Sequence, residues 1–186
     1  MSFESVSFKS LERTVVIGTS CSGKTTLAKQ LAGILNSNYI QLDAINWLPN
    51  WVERPNSEFR VLVQSAVMAD KWVVDGNYSR TRDIVWSRAT TLIWLNYSFP
   101  VVVYRALSRT LIRIFSKEEL YSGNRETFSK AFLSKDSILL WVLKTYFRRR
   151  REYLQLLKNV SREKLQILIL TSPKETNLFI SYLGHS

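Results

Sequence analysis

The chain has 186 residues, of which 46% are hydrophobic and 22% charged, and its formal net charge at pH 7 is +11. The single cysteine, Cys21, excludes an intrachain disulfide scaffold and a zinc module built on clustered cysteines. The longest apolar stretch, Leu92 to Tyr104, is interrupted by polar residues and a proline and is too short to span a membrane. The first thirteen residues lack the apolar core of a signal peptide, so we expect a cytoplasmic protein with no membrane partner.

Positive charge is concentrated in one part of the chain. In residues 105–151, which we call the basic segment, Lys and Arg outnumber Asp and Glu by eight, whereas the remainder of the chain carries only +3. Such a concentration indicates an anionic partner, either the phosphate groups of a small ligand or a nucleic-acid backbone.

Short β-branched runs alternate with amphipathic stretches along the chain. This pattern predicts five strands, at 13–18, 39–42, 71–74, 91–95 and 165–170. It predicts helices at 24–35, 57–70, 79–88, 100–115, 137–159 and 173–183, and a polar segment at 116–134 joins the two long ones. The alternation favours a three-layer α/β domain spanning residues 1–186, in which a five-stranded parallel sheet has helices on both faces. Ligands of such sheets bind beyond the carboxyl ends of the strands.

One segment matches a phosphate-binding motif in full. Residues 18–25, Gly18-Thr19-Ser20-Cys21-Ser22-Gly23-Lys24-Thr25, fit G-x-x-x-x-G-K-[ST] and lie between a predicted strand and a predicted helix. In this motif backbone N–H groups converge on phosphate oxygens, the lysine reaches the β- and γ-phosphates, and the last hydroxyl ligates Mg²⁺. The motif therefore predicts ATP and Mg²⁺ as cofactors, with nucleotide contacts from Gly18, Ser20, Cys21, Ser22, Gly23, Lys24, Thr25 and Thr26.

Two carboxylates follow predicted strands. Asp75 stands where P-loop proteins keep the carboxylate of the magnesium site, so we expect Thr25 and Asp75 to hold the metal; an ordinary Asp-Gly turn is the alternative. Asp43 directly follows the predicted strand at 39–42 in the same manner, and a simple helix or turn cap is its alternative role.

Three arginines share one face of the helix predicted at 100–115. Arg105, Arg109 and Arg113 recur every four residues, while Leu107, Leu111 and Ile112 lie at other angles, which predicts a basic stripe opposite an apolar one. Cations so placed could offset charge on a transferred phosphoryl group; an amphipathic surface helix is the alternative. The run from Arg148 to Arg151 is weaker evidence, because successive helical residues point about 100° apart.

Several segments, in this order, resemble one family. They are Gly18 to Thr25, Leu42 to Trp51, Asp75-Gly76-Asn77-Tyr78 with Arg82-Asp83, Trp94-Leu95, Arg105 to Thr110 and Gly123-Asn124-Arg125-Glu126. The chain is similar to the small bacterial P-loop proteins related to adenylate kinase that are often called DNA topology modulation proteins. This resemblance implies a P-loop NTPase fold of the nucleoside-monophosphate-kinase type, with 116–134 as a lid between the fourth and fifth strands.

The resemblance also implies roles for individual residues. Its catalytic set here is Lys24, Asp43, Arg109, Arg113 and Arg125, with Arg109 also against the nucleotide and Asp43 placed where related small-metabolite kinases keep a general base. The donor adenine would lie on Ser172, Pro173 and Lys174. The acceptor would contact Asp43, Trp47, Trp51, Asn77, Tyr78 and one of Arg80 and Arg82, although the two tryptophans are equally compatible with a core role.

The function implied is transfer of the γ-phosphoryl group of Mg-ATP to a small acceptor. A nucleotide or nucleoside ranks first as acceptor and another small hydroxyl metabolite second. An ATPase that binds nucleic acid through the basic segment is the alternative from a different class. The kinase is favoured because nothing in the sequence matches a nucleic-acid-binding module and the basic residues cluster at the expected lid.

Overall fold

The structure is a computed structural model that describes residues 8–116, 138–158, 160 and 165–184. A short 3₁₀ turn at Phe8–Leu11 leads into strand β1 (Arg13–Gly18), helix α1 (Lys24–Ile34) and strand β2 (Asn38–Gln41). A small unit follows, made of helix α2 (Leu42–Asn46) and the two-residue strands β3 (Trp47–Leu48) and β4 (Val52–Glu53).

The remaining elements continue the alternation of helix and strand. In chain order they are α3 (Asn56–Ala66), β5 (Trp72–Asp75), a 3₁₀ turn at Ser79–Thr81, α4 (Arg82–Arg88), β6 (Thr91–Leu95), α5 (Phe99–Ser116), α6 (Ile138–Lys158), β7 (Gln166–Leu170) and α7 (Pro173–Gly184). The lid predicted at 116–134 lies outside the described residues, apart from Ser116 at the end of α5.

Five of the strands form one parallel sheet in the order β2-β5-β1-β6-β7. The five-stranded parallel sheet predicted from the sequence is therefore confirmed, with strand ends that differ by one residue at most from those expected. Strands β3 and β4 pair antiparallel as a separate hairpin. The sequence pattern missed this hairpin and α2, because two-residue strands and a five-residue helix are too short to show a period.

Two apolar clusters pack on opposite faces of the sheet, because alternate side chains of each strand point to opposite sides. In β1, Val16 packs with residues of α1, α5 and α7, whereas Val15 and Ile17 pack with residues of α3 and α4. Helix α6 supplies Tyr146 to the first cluster and Tyr153 to the second. The result is a helix–sheet–helix sandwich in which α6 joins both helical layers.

Strand register brings the candidate site residues to one edge of the sheet. Gly18 at the end of β1 is level with Leu95 on β6, and Leu95 is level with Leu170 on β7. On the other side of β1, Val16 is level with Asp75, which in turn is level with Gln41 at the end of β2. All five carboxyl ends therefore meet along this edge.

Candidate active site

The segment between β1 and α1 has the backbone of a phosphate-binding loop. Cys21 has a φ of 63° and Gly23 a φ of 96°, so two residues of the loop adopt left-handed conformations. Such alternation turns successive N–H groups towards one point and forms an anion-binding nest. The eleven-residue helix α1 begins directly after Gly23, and its N-terminus adds partial positive charge there.

The last two residues of the motif face different partners. Lys24 donates a hydrogen bond from Nζ to the carbonyl oxygen of Thr19 at 3.1 Å, which folds the lysine back over the loop. Thr25 donates from Oγ1 to Oδ2 of Asp75 at 2.5 Å. The Tyr39 hydroxyl donates to the same carboxylate oxygen at 3.3 Å. The structure thus brings together the hydroxyl and the carboxylate that the sequence predicted as a magnesium site.

Asp75 is a buried carboxyl group whose ionised form is costly. It is 4% exposed, and burial raises the pKa of its carboxyl above the ordinary value, an effect that the charge of Asp43 reinforces. Lys24 and the Thr25 hydroxyl act in the opposite direction without cancelling the rise. A divalent cation would relieve this penalty, and Mg²⁺ in nucleotide sites typically takes one or two carboxylates with phosphate oxygens as its other ligands. The Thr25–Asp75 pair therefore fits a magnesium ion shared with a nucleotide.

Asp43 lies in the first turn of α2, two residues after β2 ends at Gln41. The sequence pattern had placed it directly after the strand. Tyr78, which follows β5, donates a hydrogen bond from its hydroxyl to Oδ1 of Asp43 at 2.5 Å. Burial, followed by the nearby Asp43 carboxylate, raises the pKa of the Tyr78 phenol far above its usual range. The phenol consequently stays protonated and fixes the direction of one carboxylate oxygen.

The two arginines proposed for the acceptor have different environments. Arg80 donates a hydrogen bond to Oδ1 of the fully buried Asn46, forms an ion pair with Glu53 of β4 at 3.5 Å, and lies 4.5 Å from the centre of the Phe59 ring. Arg82 instead reaches Glu152 of α6 at 3.1 Å. Arg80 is thus the one attached to the unit that carries Asp43.

Asn77 was predicted to contact the substrate that receives the phosphoryl group. Its Oδ1 accepts a hydrogen bond from Nε of Arg82 at 3.3 Å, so Asn77 lies beside Arg82. Trp47 and Trp51 stand on the hairpin, half-buried, with their ring centres 5.6 Å apart in an edge-to-face arrangement. Trp51 adopts a φ of 58°, which is uncommon for a bulky residue. The aromatic pair therefore belongs to the small unit of α2, β3 and β4 that follows β2.

Helix α5 packs through a side that the predicted stripes did not single out. Val102, Ala106 and Thr110 are buried, whereas Leu107, Leu111 and Ile112 of the predicted apolar stripe are exposed. The arginine side faces inwards in part, because the guanidinium of Arg105 donates from one Nη to the carbonyl oxygen of Ser22 at 3.1 Å. Val102 and Ala106 pack in the core cluster on one face of the sheet, and the hydrogen bond from Arg105 adds to that packing.

The structure describes the other predicted arginines only in part. Arg109 is half-buried, and its Nε has no hydrogen-bond partner among the described residues. The side chain of Arg113 and the whole of Arg125 lie outside the described part of the chain.

The segment predicted to hold adenine begins α7. Ser172 accepts a hydrogen bond at Oγ from the backbone N–H of Glu175 at 3.2 Å, and Pro173 is the first residue of the helix. This is an N-cap with proline at the first helical position. Lys174 is exposed. Ser172 follows Leu170, so the segment lies at the same sheet edge as the phosphate loop.

Four residues that contact the site are missing from the predicted catalytic and binding residues, although Arg105 was predicted to belong to the basic stripe of its helix. They are Tyr39 on Asp75, Asn46 on Arg80, Arg105 on Ser22 and Tyr97 beneath Arg105, 5.2 Å from its guanidinium to the ring centre. Only Arg105 carried a signal, its regular spacing with Arg109. The other three depend on contacts between residues distant in sequence, which no local pattern encodes.

Comparison with known proteins agrees with this fold. Shikimate kinase from Acinetobacter baumannii in complex with shikimate is 15% identical with a TM-score of 0.51, and the match covers 95% of this chain and 92% of that one. Shikimate kinase from Bacteroides thetaiotaomicron is 17% identical with a TM-score of 0.53, over 93% and 96% of the two chains. At such identities the likeness shows the fold alone.

The finer resemblance to DNA topology modulation proteins stays a prediction, and no curated protein matches the sequence. Of the helices in the described residues, none combines the length and apolarity needed to cross a bilayer. The family model described as ABC transporter matches residues 4–146, which is more than half of the chain. The chain therefore belongs to this P-loop NTPase family, and its sheet and helices have the fold of the small P-loop kinases.

Proposed function

We propose that this protein transfers the γ-phosphoryl group of Mg-ATP to a hydroxyl group of a small acceptor, with Asp43 as the general base. The observation that carries the proposal is the second carboxylate. Asp43 is close enough to Asp75 to raise its pKa, and Tyr78 holds it by a 2.5 Å hydrogen bond. A carboxylate beside the phosphate and metal residues is suited to take a proton from an acceptor.

The donor half rests on the phosphate loop. Lys24 would move from the Thr19 carbonyl to the β- and γ-phosphates, and Thr25 with Asp75 would hold the magnesium ion that screens phosphate charge. Ser22 supports this assignment, because its hydroxyl oxygen is buried without a hydrogen-bond partner among the described residues. A phosphate oxygen would give it one.

The acceptor half favours a neutral hydroxyl over a phosphate. A phosphate acceptor needs cations that are free to meet it, but Arg80 is already paired with Glu53 and Arg82 with Glu152. Asp43 and its neighbour Asp75 would repel a second phosphate. A nucleoside hydroxyl, or that of another small metabolite, therefore suits this side better than a nucleoside monophosphate.

In the reaction the acceptor oxygen forms a bond to the γ-phosphorus while the bond from that phosphorus to the β–γ bridging oxygen breaks. The hydroxyl proton passes to Asp43 and later to solvent, and ADP leaves. Tyr78 would keep the receiving oxygen of Asp43 directed at the acceptor through its hydrogen bond. Arg109 lies on α5 four residues after Arg105, and we assign it to charge on the transferred group.

The test is transfer of labelled γ-phosphate from ATP to a panel of acceptors. Nucleosides, polyols and hydroxy acids form one group, and nucleoside monophosphates form the other. We expect transfer to a member of the first group. Transfer confined to the monophosphates, at a rate unaffected by Asp43→Asn, would refute the hydroxyl assignment. ATP hydrolysis without transfer to any of them, together with tight binding of nucleic acid, would favour the ATPase that binds nucleic acid.

A further inference from the structure

We propose that Arg105 is a positioning residue that sets the phosphate loop for nucleotide binding by holding one peptide of the loop. The inference rests on nucleotide binding at the site proposed above and assigns a new role within it. Its basis is a polar network between the loop and the helices behind it.

The first link is the hydrogen bond from Arg105 to the Ser22 carbonyl, 3.1 Å long. A trans peptide is planar, so the carbonyl of Ser22 and the N–H of Gly23 point in opposite directions. A guanidinium that fixes this carbonyl on the outer side of the loop therefore fixes the Gly23 N–H on the inner side, where a phosphate would lie. The positive charge also polarises the peptide and makes that N–H a stronger donor.

The contact between Arg105 and the loop is close. A Cβ added to Gly23 would come within 2.6 Å of a guanidinium nitrogen of Arg105, with no room for the side chain as it stands. Glycine at this position therefore serves two ends. It permits the φ of 96°, and it admits the arginine against the loop backbone.

The second link holds Arg105 itself. Its guanidinium lies over the ring of Tyr97, 5.2 Å from the centre, and the ring is 2% exposed. Tyr97 is fixed at both ends, since its carbonyl accepts a 2.7 Å hydrogen bond from the Tyr146 hydroxyl and its own hydroxyl lies 2.6 Å from Oγ1 of Thr176. The arginine thus rests on Tyr97, which follows β6 and is held by α6 and α7.

The network extends to the segment that is expected to hold the donor base. Oγ1 of Thr176 donates to the Ser172 carbonyl at 3.2 Å, in the segment where the donor base is expected. One set of contacts therefore connects the loop for the phosphates with the segment for the base. Arg105 is the member that touches the loop, so its removal should loosen the phosphate end of the site first.

The experiment measures binding of Mg-ATP and of Mg-tripolyphosphate by calorimetry. Tripolyphosphate has the phosphates but no base or ribose, so it reports on the loop alone. We expect Arg105→Ala to weaken both ligands by the same factor, about ten- to hundredfold, the range for loss of a hydrogen bond to a charged group. Arg105→Lys, which keeps the charge but not the planar fork, should lie between that variant and the wild type. Arg148→Ala, at an exposed position of α6, is the matched control.

Chemical rescue separates a positioning role from a general loss of stability. Guanidinium ion at concentrations below those that unfold the protein should restore tripolyphosphate binding to Arg105→Ala, whereas urea, neutral and of the same shape, should not. Thermal unfolding of each variant shows whether it is folded at the assay temperature. Should Arg105→Ala fail to fold, Arg105→Lys alone decides, since its affinity for tripolyphosphate must still fall.

Each outcome bears on the inference. Equal affinities for wild type and both Arg105 variants would overturn it and leave the proposed function standing. A loss for Mg-ATP alone would also overturn it, because Arg105 would then act on the base or ribose. A wild-type protein that binds neither ligand would remove the nucleotide site on which both proposals depend.

Discussion

Asp75 combines a functional position with an energetic cost to the unliganded protein. Burial raises its carboxyl pKa above 3.8, so the protonated form is favoured more in the folded state than in the unfolded chain. A raised pKa in the folded state contributes stability below the unfolded pKa, and that stability is lost as the pH rises through the folded pKa. Asp75→Asn resembles the protonated form at every pH and keeps an oxygen that can accept from Thr25.

We therefore expect Asp75→Asn to raise the unfolding temperature of the ligand-free protein near pH 7, with the difference shrinking as the pH falls towards about 4. The same variant should lose the stabilisation that Mg-ATP gives the wild type. Thermal unfolding as a function of pH, with and without Mg-ATP, tests both parts. Asp70→Asn, at an exposed position, is the control. A lower unfolding temperature for Asp75→Asn at neutral pH would contradict the assignment of a costly buried anion.

Among the described residues Lys24 makes one hydrogen bond, to the Thr19 carbonyl, and its charge also favours the ionised form of Asp75. Lys24→Ala should therefore change the free energy of unfolding by only about 1 kcal/mol, whereas it should abolish detectable Mg-ATP binding or phosphoryl transfer. Chemical denaturation and calorimetry measure the two effects. Lys158→Ala removes an exposed lysine of α6 as the control. Unchanged ATP turnover in Lys24→Ala would remove the basis for a P-loop mechanism.

Asp43 distinguishes the kinds of acceptor. If it takes a proton from a hydroxyl, Asp43→Asn should lower the transfer rate by about 10² to 10⁴ fold with little change in ATP affinity. Raising the Mg²⁺ concentration should not restore the rate, because mass action rescues a weakened metal site but not a missing base. Asp83→Asn, which removes an exposed partner of Arg60, serves as the matched control. Recovery of Asp43→Asn at high Mg²⁺ would instead assign Asp43 to the metal.

At the scale of the element, the phosphate loop depends on backbone conformation more than on side-chain chemistry. Cys21 is buried at a φ of 63°, where a β-branched residue is strongly disfavoured. Cys21→Val should destabilise the protein by roughly 1–2 kcal/mol and weaken Mg-ATP binding, while Cys21→Gly, which tolerates a positive φ, should bind Mg-ATP more tightly than Cys21→Val. Thermal unfolding and calorimetry of the two variants check this. Equal binding by both would show that the loop does not require this backbone conformation.

Elements with a strong period were predictable, and the short ones were not. The strand Thr91–Leu95 and the long helices carry runs of apolar residues that fix their type, so α5 begins and ends within one residue of the prediction. Helix α2 has only five residues and no side-chain cap, so nothing local marked it. The orientation of α5 could not be predicted either. The burial of Val102 and Ala106 and the contact of Arg105 with Ser22, 83 positions away, both depend on residues distant in sequence.

At the scale of the whole molecule, the parallel sheet explains why the site could be predicted in outline. Parallel strands end on one edge, so residues that follow strands become neighbours whatever their separation in sequence. Thr25 and Asp75 are 50 positions apart, and the topology together with the phosphate-loop motif was sufficient to predict that they would meet. The hydrogen-bond partners of the two carboxylates could not be predicted in this way. Tyr39 on Asp75 and Tyr78 on Asp43 depend on side-chain directions that the element pattern does not specify.

The basic segment contains two sets of arginines that the kinase and the nucleic-acid interpretations use differently. Arg109 lies on α5 four residues after Arg105, which contacts the phosphate loop, whereas Arg148, Arg150 and Arg151 are exposed on α6. A kinase requires the first set, because cations at the transferred group stabilise the charge that develops there. A nucleic-acid binder requires the second set, because exposed cations meet a phosphate backbone.

The whole-molecule prediction compares these sets in one assay series. Arg109→Ala, and Arg125→Ala from the sequence-predicted lid, should each lower phosphoryl transfer. The triple variant Arg148→Ala, Arg150→Ala, Arg151→Ala should keep the wild-type transfer rate. These side chains are exposed on α6, whereas Ser22 of the phosphate loop is buried. Transfer kinetics and the salt dependence of nucleic-acid binding are measured for all three proteins. If Arg109→Ala and Arg125→Ala keep full transfer and ATPase rates, but bind nucleic acid more weakly and with a shallower salt dependence, the basic segment serves a nucleic acid and the kinase interpretation of it is wrong.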